Sequence, residues 1–308
     1  MQASLDRKRI VMYLAFSFGL AWLVGLAVYL TGGLANSQQL APGLSVATAL
    51  LAGGYMMSPA LAHVLTRLIT REGWRNVGLR PNLRRGWPYW LVCWFAPGLL
   101  TLLGAAIYFV AFPQHYDPNL GRLQEMLKTS GAAQLSITPK MIVILQLAQA
   151  LLIAPLINGL FTFGEEFGWR AYLQPRLMPL GERRAYLLMG VIWGVWHWPV
   201  IAMGHNYGLD YIGAPWLGML VMIWFTLTLG TLLGWASLRA GSVWPAVIGH
   251  AAINGIAGIG VFFTQGEPNP LLGPLPVGLI GSAGLALAAF CIWLWPRAAA
   301  QQTVQEEV

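Results

Sequence analysis

The chain has 308 residues, 57% of them hydrophobic and only 9% charged, with 15 tryptophans and a formal net charge of +7. A mean hydropathy of +0.60 excludes an ordinary soluble domain. The basic excess has no Lys/Arg-rich domain outside the apolar runs to carry it, so nucleic acid is excluded as a partner and the charge reads as membrane topology.

A span needs roughly 20 consecutive apolar residues. Runs of that kind stand at 10–32, 45–69, 87–112, 141–174, 185–203, 214–238, 242–264 and 272–296. The expected fold is all-α: one polytopic transmembrane domain over 1–296, with about eight helices around a polar intramembrane site and a motif-bearing core at about 141–264. Residues 297–308 read as a polar cytoplasmic tail. The first run follows "DRKR" but is longer than the ~7–15 residues of a signal-peptide core, so it reads as a retained helix. With the N-terminus cytoplasmic and eight crossings, fifteen Lys/Arg fall inside and only Arg122, Lys128 and Lys140 outside. That asymmetry predicts a multi-pass protein of the plasma (inner) membrane, embedded in the lipid bilayer, with both termini cytoplasmic.

The loop 70–86 is basic and suited to anionic headgroups. In the external segment 113–140, "LGRLQEMLKTSG" reads as an ordinary polar connector rather than an interfacial helix. Cys93 and Cys291 lie in apolar runs and read as small buried hydrophobes. The fourth run, about 35 residues or roughly 50 Å as one helix, exceeds a ~30 Å hydrocarbon core. It must tilt, protrude or bend, and Pro155 offers a kink.

That run ends in "FTFGEEFGWRAYLQPRL" (161–177), which places Glu165, Glu166 and Arg170 inside the bundle. Ionisable groups there cost about 2.5–3.5 kcal/mol on insertion scales and mark functional sites. Counting 1.5 Å per residue from the cytoplasmic face puts Glu165 at ~15 Å, His197 at ~18 Å, His250 at ~12 Å and Asn254 at ~18 Å. Three helices thus bring polar groups to one level. His250 and Asn254 are i,i+4 and share a face, as do Glu166 and Arg170. Glu165 is turned about 100° from Glu166, which predicts a structural Glu166–Arg170 pair and a Glu165 free to face a cavity. His63 has no polar neighbours in its span and receives no role. His205, Asn206, Tyr207 and Asp210 read as a solvated loop, like His115 and Asp117. A desolvated carboxylate can act as general base on water, and histidines with an asparagine can relay protons and stabilise an oxyanion.

"EEFGWRAYLQPRL" resembles the EExxxR motif of the CAAX-protease and bacteriocin-processing (CPBP) family of intramembrane proteases. "GVIWGVWHWPVIAMGHNY" is similar to that family's second motif, an aromatic four residues before a histidine, here Trp193 and His197. "GSVWPAVIGHAAINGIAG" is similar to its third, HxxxN, and the three stand in family order across 161–258. The resemblance implies an intramembrane endopeptidase in which Glu165 and His197 activate water and His250 and Asn254 stabilise the oxyanion. Glu166 and Arg170 support the site, with Trp193. Many members carry glycine where this chain has Ala171, a tightening that touches no proposed reactive group. The expected substrate is a peptide or membrane-associated protein reaching a site open to the cytoplasmic side. No cofactor is expected; if zinc is present, Glu165, His197 and His250 are its expected ligands, although the chain lacks HExxH. A proton-coupled transporter and a non-catalytic membrane immunity or partner protein are the alternative functions.

Overall fold

The computed structural model describes residues 5–129 and 138–294. The expected tail, Arg297 and the C-terminus lie outside the described residues. Helix α1 (Arg7–Leu30) begins at Asp6, whose carboxylate accepts the Arg9 backbone N–H at 3.2 Å. A short ribbon, β1 (Gln39–Ala41) against β2 (Leu44–Ser45), leads into a broken span. It comprises α2 (Val46–Leu50), a π-helical turn at Leu51–Tyr55, and α3 (Ser58–Thr70). Then come α4 (Leu83–Ala111) and α5 (Gly121–Thr129). A segmented traverse follows: α6 (Pro139–Leu152), α7 (Ala154–Ile157), α8 (Gly159–Gly168), a π-helical turn at Trp169–Leu173, and α9 (Gln174–Leu177). The chain finishes with α10 (Glu182–Trp196), α11 (Trp198–Ala202), α12 (Trp216–Ala240), α13 (Trp244–Ile256), α14 (Ile259–Phe262) and α15 (Ala283–Leu294).

Among the described residues, five helical stretches are long and apolar enough to cross a membrane: 7–30, 46–70, 83–111, 216–240 and 244–262. With almost no strand, this is an all-α polytopic membrane protein. The centre of the bundle is α12, packed on α10, α4, α13 and α15. Its approach to α10 is backbone-close because Gly190 and Gly194 face it. A Cβ at Gly190 would sit 2.6 Å from Leu227 Cα, and one at Gly194 2.7 Å from Ile223 Cα. Small residues four apart permit such contacts in lipid, where packing replaces the hydrophobic effect as the driving force.

The bundle has two chemically distinct ends. At one, Glu72 receives Arg9 (3.3 Å), Arg176, the Tyr172 hydroxyl (2.8 Å) and the Thr70 hydroxyl (2.6 Å). Arg239 pairs with Glu182 there, and Asn82 donates to the Gly241 carbonyl at 2.6 Å. The opposite end is tied by neutral bonds. Tyr116 bridges Thr264, Gln265 N–H donates to the His115 carbonyl at 2.9 Å, and the Tyr207 hydroxyl donates to the Val277 carbonyl at 2.9 Å.

Several sequence expectations change. The 141–174 run is broken at Ile153 and Asn158 instead of forming one long helix. Pro155 has no N–H for the Leu151 carbonyl, and the Trp94 indole takes that acceptor at 2.6 Å. The last run is helical only from Ala283, because Pro270, Pro274 and Pro276 withhold donors from residues 265–282, which form turns. "LGRLQEMLKTSG" is helical over Gly121–Thr129, capped by the Asp117 carboxylate, which accepts the Gly121 N–H at 2.6 Å. His115 is no free loop residue: its Nδ1 bonds the Tyr108 hydroxyl at 2.7 Å. Cys93 is buried but Cys291 lies on the outer surface.

Glu72 yields a stability test outside the spans. Burial raises its carboxyl, but bonds from Thr70 and Tyr172 with the Arg176 and Arg9 charges outweigh this and hold it below the usual carboxylate range. A depressed pKa supplies stability above the unfolded value and loses it as pH falls through the folded one. In thermal unfolding, Glu72→Gln is expected to lower the melting temperature at pH 7 and to flatten its decline below about pH 4.5. An unchanged acid limb would remove Glu72 from this role.

Candidate active site

The local breaks in the helices set up the site. At the foot of α10, the backbone N–H of His197 bonds the Gly194 carbonyl at 3.1 Å. The Trp193 carbonyl, its usual α-helical acceptor, is thereby released and bonds the His197 ring Nδ1 at 2.8 Å. A carbonyl only accepts, so Nδ1 carries the proton and Nε2 of the neutral ring keeps its lone pair. The Trp196 carbonyl is claimed by the Tyr55 hydroxyl at 2.5 Å and the Trp22 indole at 3.4 Å. His197 therefore sits at the break between α10 and α11, not within a continuous fifth helix as its run suggested, with Pro199 just beyond it.

The two glutamates of α8 diverge as their 100° offset requires. Glu165 is 3% exposed, and its Oε2 accepts the Trp193 indole N–H at 2.8 Å. Glu166 is fully buried; its Oε1 receives Arg170 Nη1 at 2.8 Å and His250 Nδ1 at 2.8 Å. The expected Glu166–Arg170 pair is present, and sequence reasoning did not foresee that His250 joins it. The Arg170 guanidinium lies over the Trp193 ring, 4.5 Å from its centroid, a cation–π contact. Trp193 meets the His250 ring edge-on at 5.2 Å. One indole thus holds Glu165 by its N–H, Arg170 by its face and His250 by an edge contact. The π-helical turn carrying Arg170 directly follows the glutamates, a common place for such irregularities. Ala171 is buried with Phe167, Val243 and Val247 and packs on Gly78, away from the cavity described below.

Glu165, Trp193, His197, His250 and Asn254 line one cavity of about 320 Å³, closed partly by Tyr55, Met222 and Ile253. The Asn254 side chain is exposed to it and has no hydrogen-bond partner among the described residues. His63 stands apart: its Nδ1 donates to the Phe167 carbonyl at 2.8 Å and its Nε2 accepts from Arg67 Nε at 2.7 Å, so both nitrogens are used structurally. Among the described residues, no three His, Cys, Asp or Glu side chains are grouped to hold a metal ion. The expected zinc set, Glu165, His197 and His250, lines the cavity; one oxygen of Glu165 holds Trp193 and one nitrogen of His250 holds Glu166, which leaves a second atom of each uncommitted.

The solvated-loop reading of 205–210 is corrected in part. Tyr207 is buried, and His205 and Asn206 line the same cavity as the motif residues. Pro199 and Gly204 were the available signals that the chain turns back towards the site here.

Residues 141–256 match the family described as type II CAAX prenyl endopeptidase, Rce1-like. The chain is also similar to CAAX prenyl protease 2 of Methanococcus maripaludis, 31% identical over 96 residues. That match covers 29% of this chain and 34% of the relative, about a third of the relative's length. The matched residues 141–256 hold all three motifs up to Asn254, so the likeness to this family falls on the segment that builds the cavity.

Truncating one partner of a buried ion pair costs about 3–5 kcal/mol, because the other charge is left uncompensated. Arg170→Met is expected to cost that much in thermal or denaturant unfolding of the purified protein in detergent. A loss under ~1 kcal/mol would show that Glu166 does not depend on this partner.

Proposed function

We propose that this chain is an intramembrane endopeptidase that hydrolyses peptide bonds of a peptide or membrane-associated protein by direct attack of water. The observation that carries this reading is the convergence of Glu165, His197, His250 and Asn254 on one protein-lined cavity. Glu165 Oε2 is held by Trp193, so Oε1 is the oxygen available to take a proton from water. His197, with Nδ1–H donated to the Trp193 carbonyl, offers Nε2 as a second acceptor to orient that water. The water's oxygen adds to the scissile carbonyl carbon while its proton passes to Glu165. Glu165 then returns the proton to the departing amine as the C–N bond breaks.

Charge developing on the carbonyl oxygen is met by the Asn254 amide, whose N–H groups are uncommitted. His250 can donate from Nε2 in its imidazolium form, whose charge faces Glu166. Glu166, Arg170 and Trp193 hold these groups in place. Both termini are proposed to be cytoplasmic, with the Glu72 end of the bundle on that side of the plasma membrane.

The oxyanion role has a kinetic signature. Removing one such donor typically costs about 10²–10³ in kcat. With a fixed peptide substrate, Asn254→Ala should lower kcat and kcat/KM in parallel while KM changes little. It should barely alter melting, since an intramembrane hydrogen bond averages only about 0.6 kcal/mol. A change in KM alone, or unfolding, would remove Asn254 from that role. A transporter would show altered uptake without cleavage, and a silent partner protein would show the stability effect alone.

A resident metal is not part of this proposal, and activity is expected to survive strong chelators. Loss on chelation with rescue by Zn²⁺ would move Glu165, His197 and His250 into ligand roles.

A further inference from the structure

The cavity is asymmetric along the bundle. Beyond the reactive groups, it is lined by Leu51, Met56, His205, Asn206, Pro276 and Val277. Leu51 and Met56 lie near the start of the second traverse. His205 and Asn206 follow α11, and Pro276 and Val277 precede α15. His205, Asn206, Pro276 and Val277 belong to the end tied by Tyr207–Val277 and Tyr116–Thr264, opposite the Glu72 cluster, whereas Met56 packs on Gly164 at the level of the glutamates. With the topology proposed above, the Tyr207–Val277 end is the external one, so the inference drawn here departs from the expected opening to the cytoplasmic side.

The turn between α11 and α12 is built to present side chains there. Gly204, at φ +90°, donates its N–H to the Ile201 carbonyl at 2.9 Å, and the His205 N–H reaches the Val200 carbonyl at 3.0 Å. Asn206 adopts φ +67°, a left-handed conformation that asparagine tolerates better than most residues. Tyr207, 4% exposed, anchors the turn to Val277. Asn206 itself makes only a 4.0 Å contact from Nδ2 to the Met222 sulfur. Its Oδ1 and second N–H remain available, a donor and an acceptor side by side.

That pairing matches the repeating N–H and C=O of an extended peptide backbone. We propose that the 203–207 turn is a substrate-binding element. In it, Asn206, flanked by His205, hydrogen-bonds the substrate backbone beside the scissile bond, and the peptide enters from the end of the bundle opposite the Glu72 cluster. This rests on the endopeptidase reading of the site. Asn206 is a specificity and positioning residue, outside the proton transfers.

Two measurements on the full-length protein test it. In peptide cleavage, Asn206→Ala is expected to raise KM about tenfold, the equivalent of one good hydrogen bond, with kcat within about twofold. Asn206→Asp, which keeps the acceptor, should recover part of that loss. Unchanged KM in both variants, or a fall in kcat without a rise in KM, would overturn the proposal. If Asn206→Ala does not fold, His205→Gln takes its place with the same expected rise in KM.

For entry side, Asn206→Cys and Arg75→Cys are placed singly in a Cys291→Ser background. They are then exposed to a membrane-impermeant thiol reagent in intact cells and in inverted vesicles. Asn206→Cys should label from the face opposite Arg75→Cys, and bound peptide should protect it. Labelling of both from one face, or no protection by peptide, would contradict the entry route. Failure of the wild type to cleave any peptide would sink the endopeptidase reading itself, whereas the side from which Asn206→Cys labels is read without activity.

Discussion

The site is organised by one fully buried carboxylate oxygen. Oε1 of Glu166 takes Arg170 from the π-helical turn that follows α8 and His250 from α13, both at 2.8 Å. A charge taken this far from water is tolerated only with close, well-directed partners. Satisfying it fixes the rotation of α13 against α8. Because Asn254 lies one turn beyond His250, the same contact also fixes which way the third motif faces. The guanidinium then lies across Trp193, whose N–H holds Glu165. From one ion pair, three helices acquire a defined register at the cavity.

Around this hub, the backbone is irregular where the chemistry is proposed. A π-helical turn follows the glutamates, α10 ends at His197, and a second π-helical turn at Leu51–Tyr55 supplies Tyr55 to the cavity. In a bilayer, interrupted helices survive only where freed carbonyls find new donors. Here the donors are side chains: Trp94 on Leu151, Tyr55 and Trp22 on Trp196, and His197 on Trp193. The last of these also selects the imidazole tautomer that leaves Nε2 as an acceptor towards the cavity. Helix interruption and site chemistry are therefore one arrangement.

Much of this was legible in the sequence because depth and face follow from counting residues along a helix. The common level of Glu165, His197, His250 and Asn254, and the opposed facing of Glu165 and Glu166, needed only the rise per residue and the 100° step. The Glu166–His250 bond was not legible, since it depends on how α13 is rotated against α8, and no single helix encodes that. Hydropathy read 272–296 as one span because a few prolines in an apolar run lower the average only slightly, yet they withhold the donors a helix needs. His205 and Asn206 looked like loop residues for a similar reason. Only the folding back of the chain after Pro199 turns them from a connector into a wall of the cavity.

The central claim is that adjacent carboxylates divide the work, with Glu165 reactive and Glu166 structural. Glu165→Gln and Glu166→Gln, expressed in parallel, separate the two roles when thermal unfolding of each purified protein is read beside mass spectrometry of new peptide ends in cell membranes. The account predicts a near-native melting temperature and complete loss of wild-type cleavage products for Glu165→Gln, and a clearly lowered melting temperature for Glu166→Gln. Wild-type products persisting in Glu165→Gln, or a stability loss falling on Glu165 instead of Glu166, would contradict it.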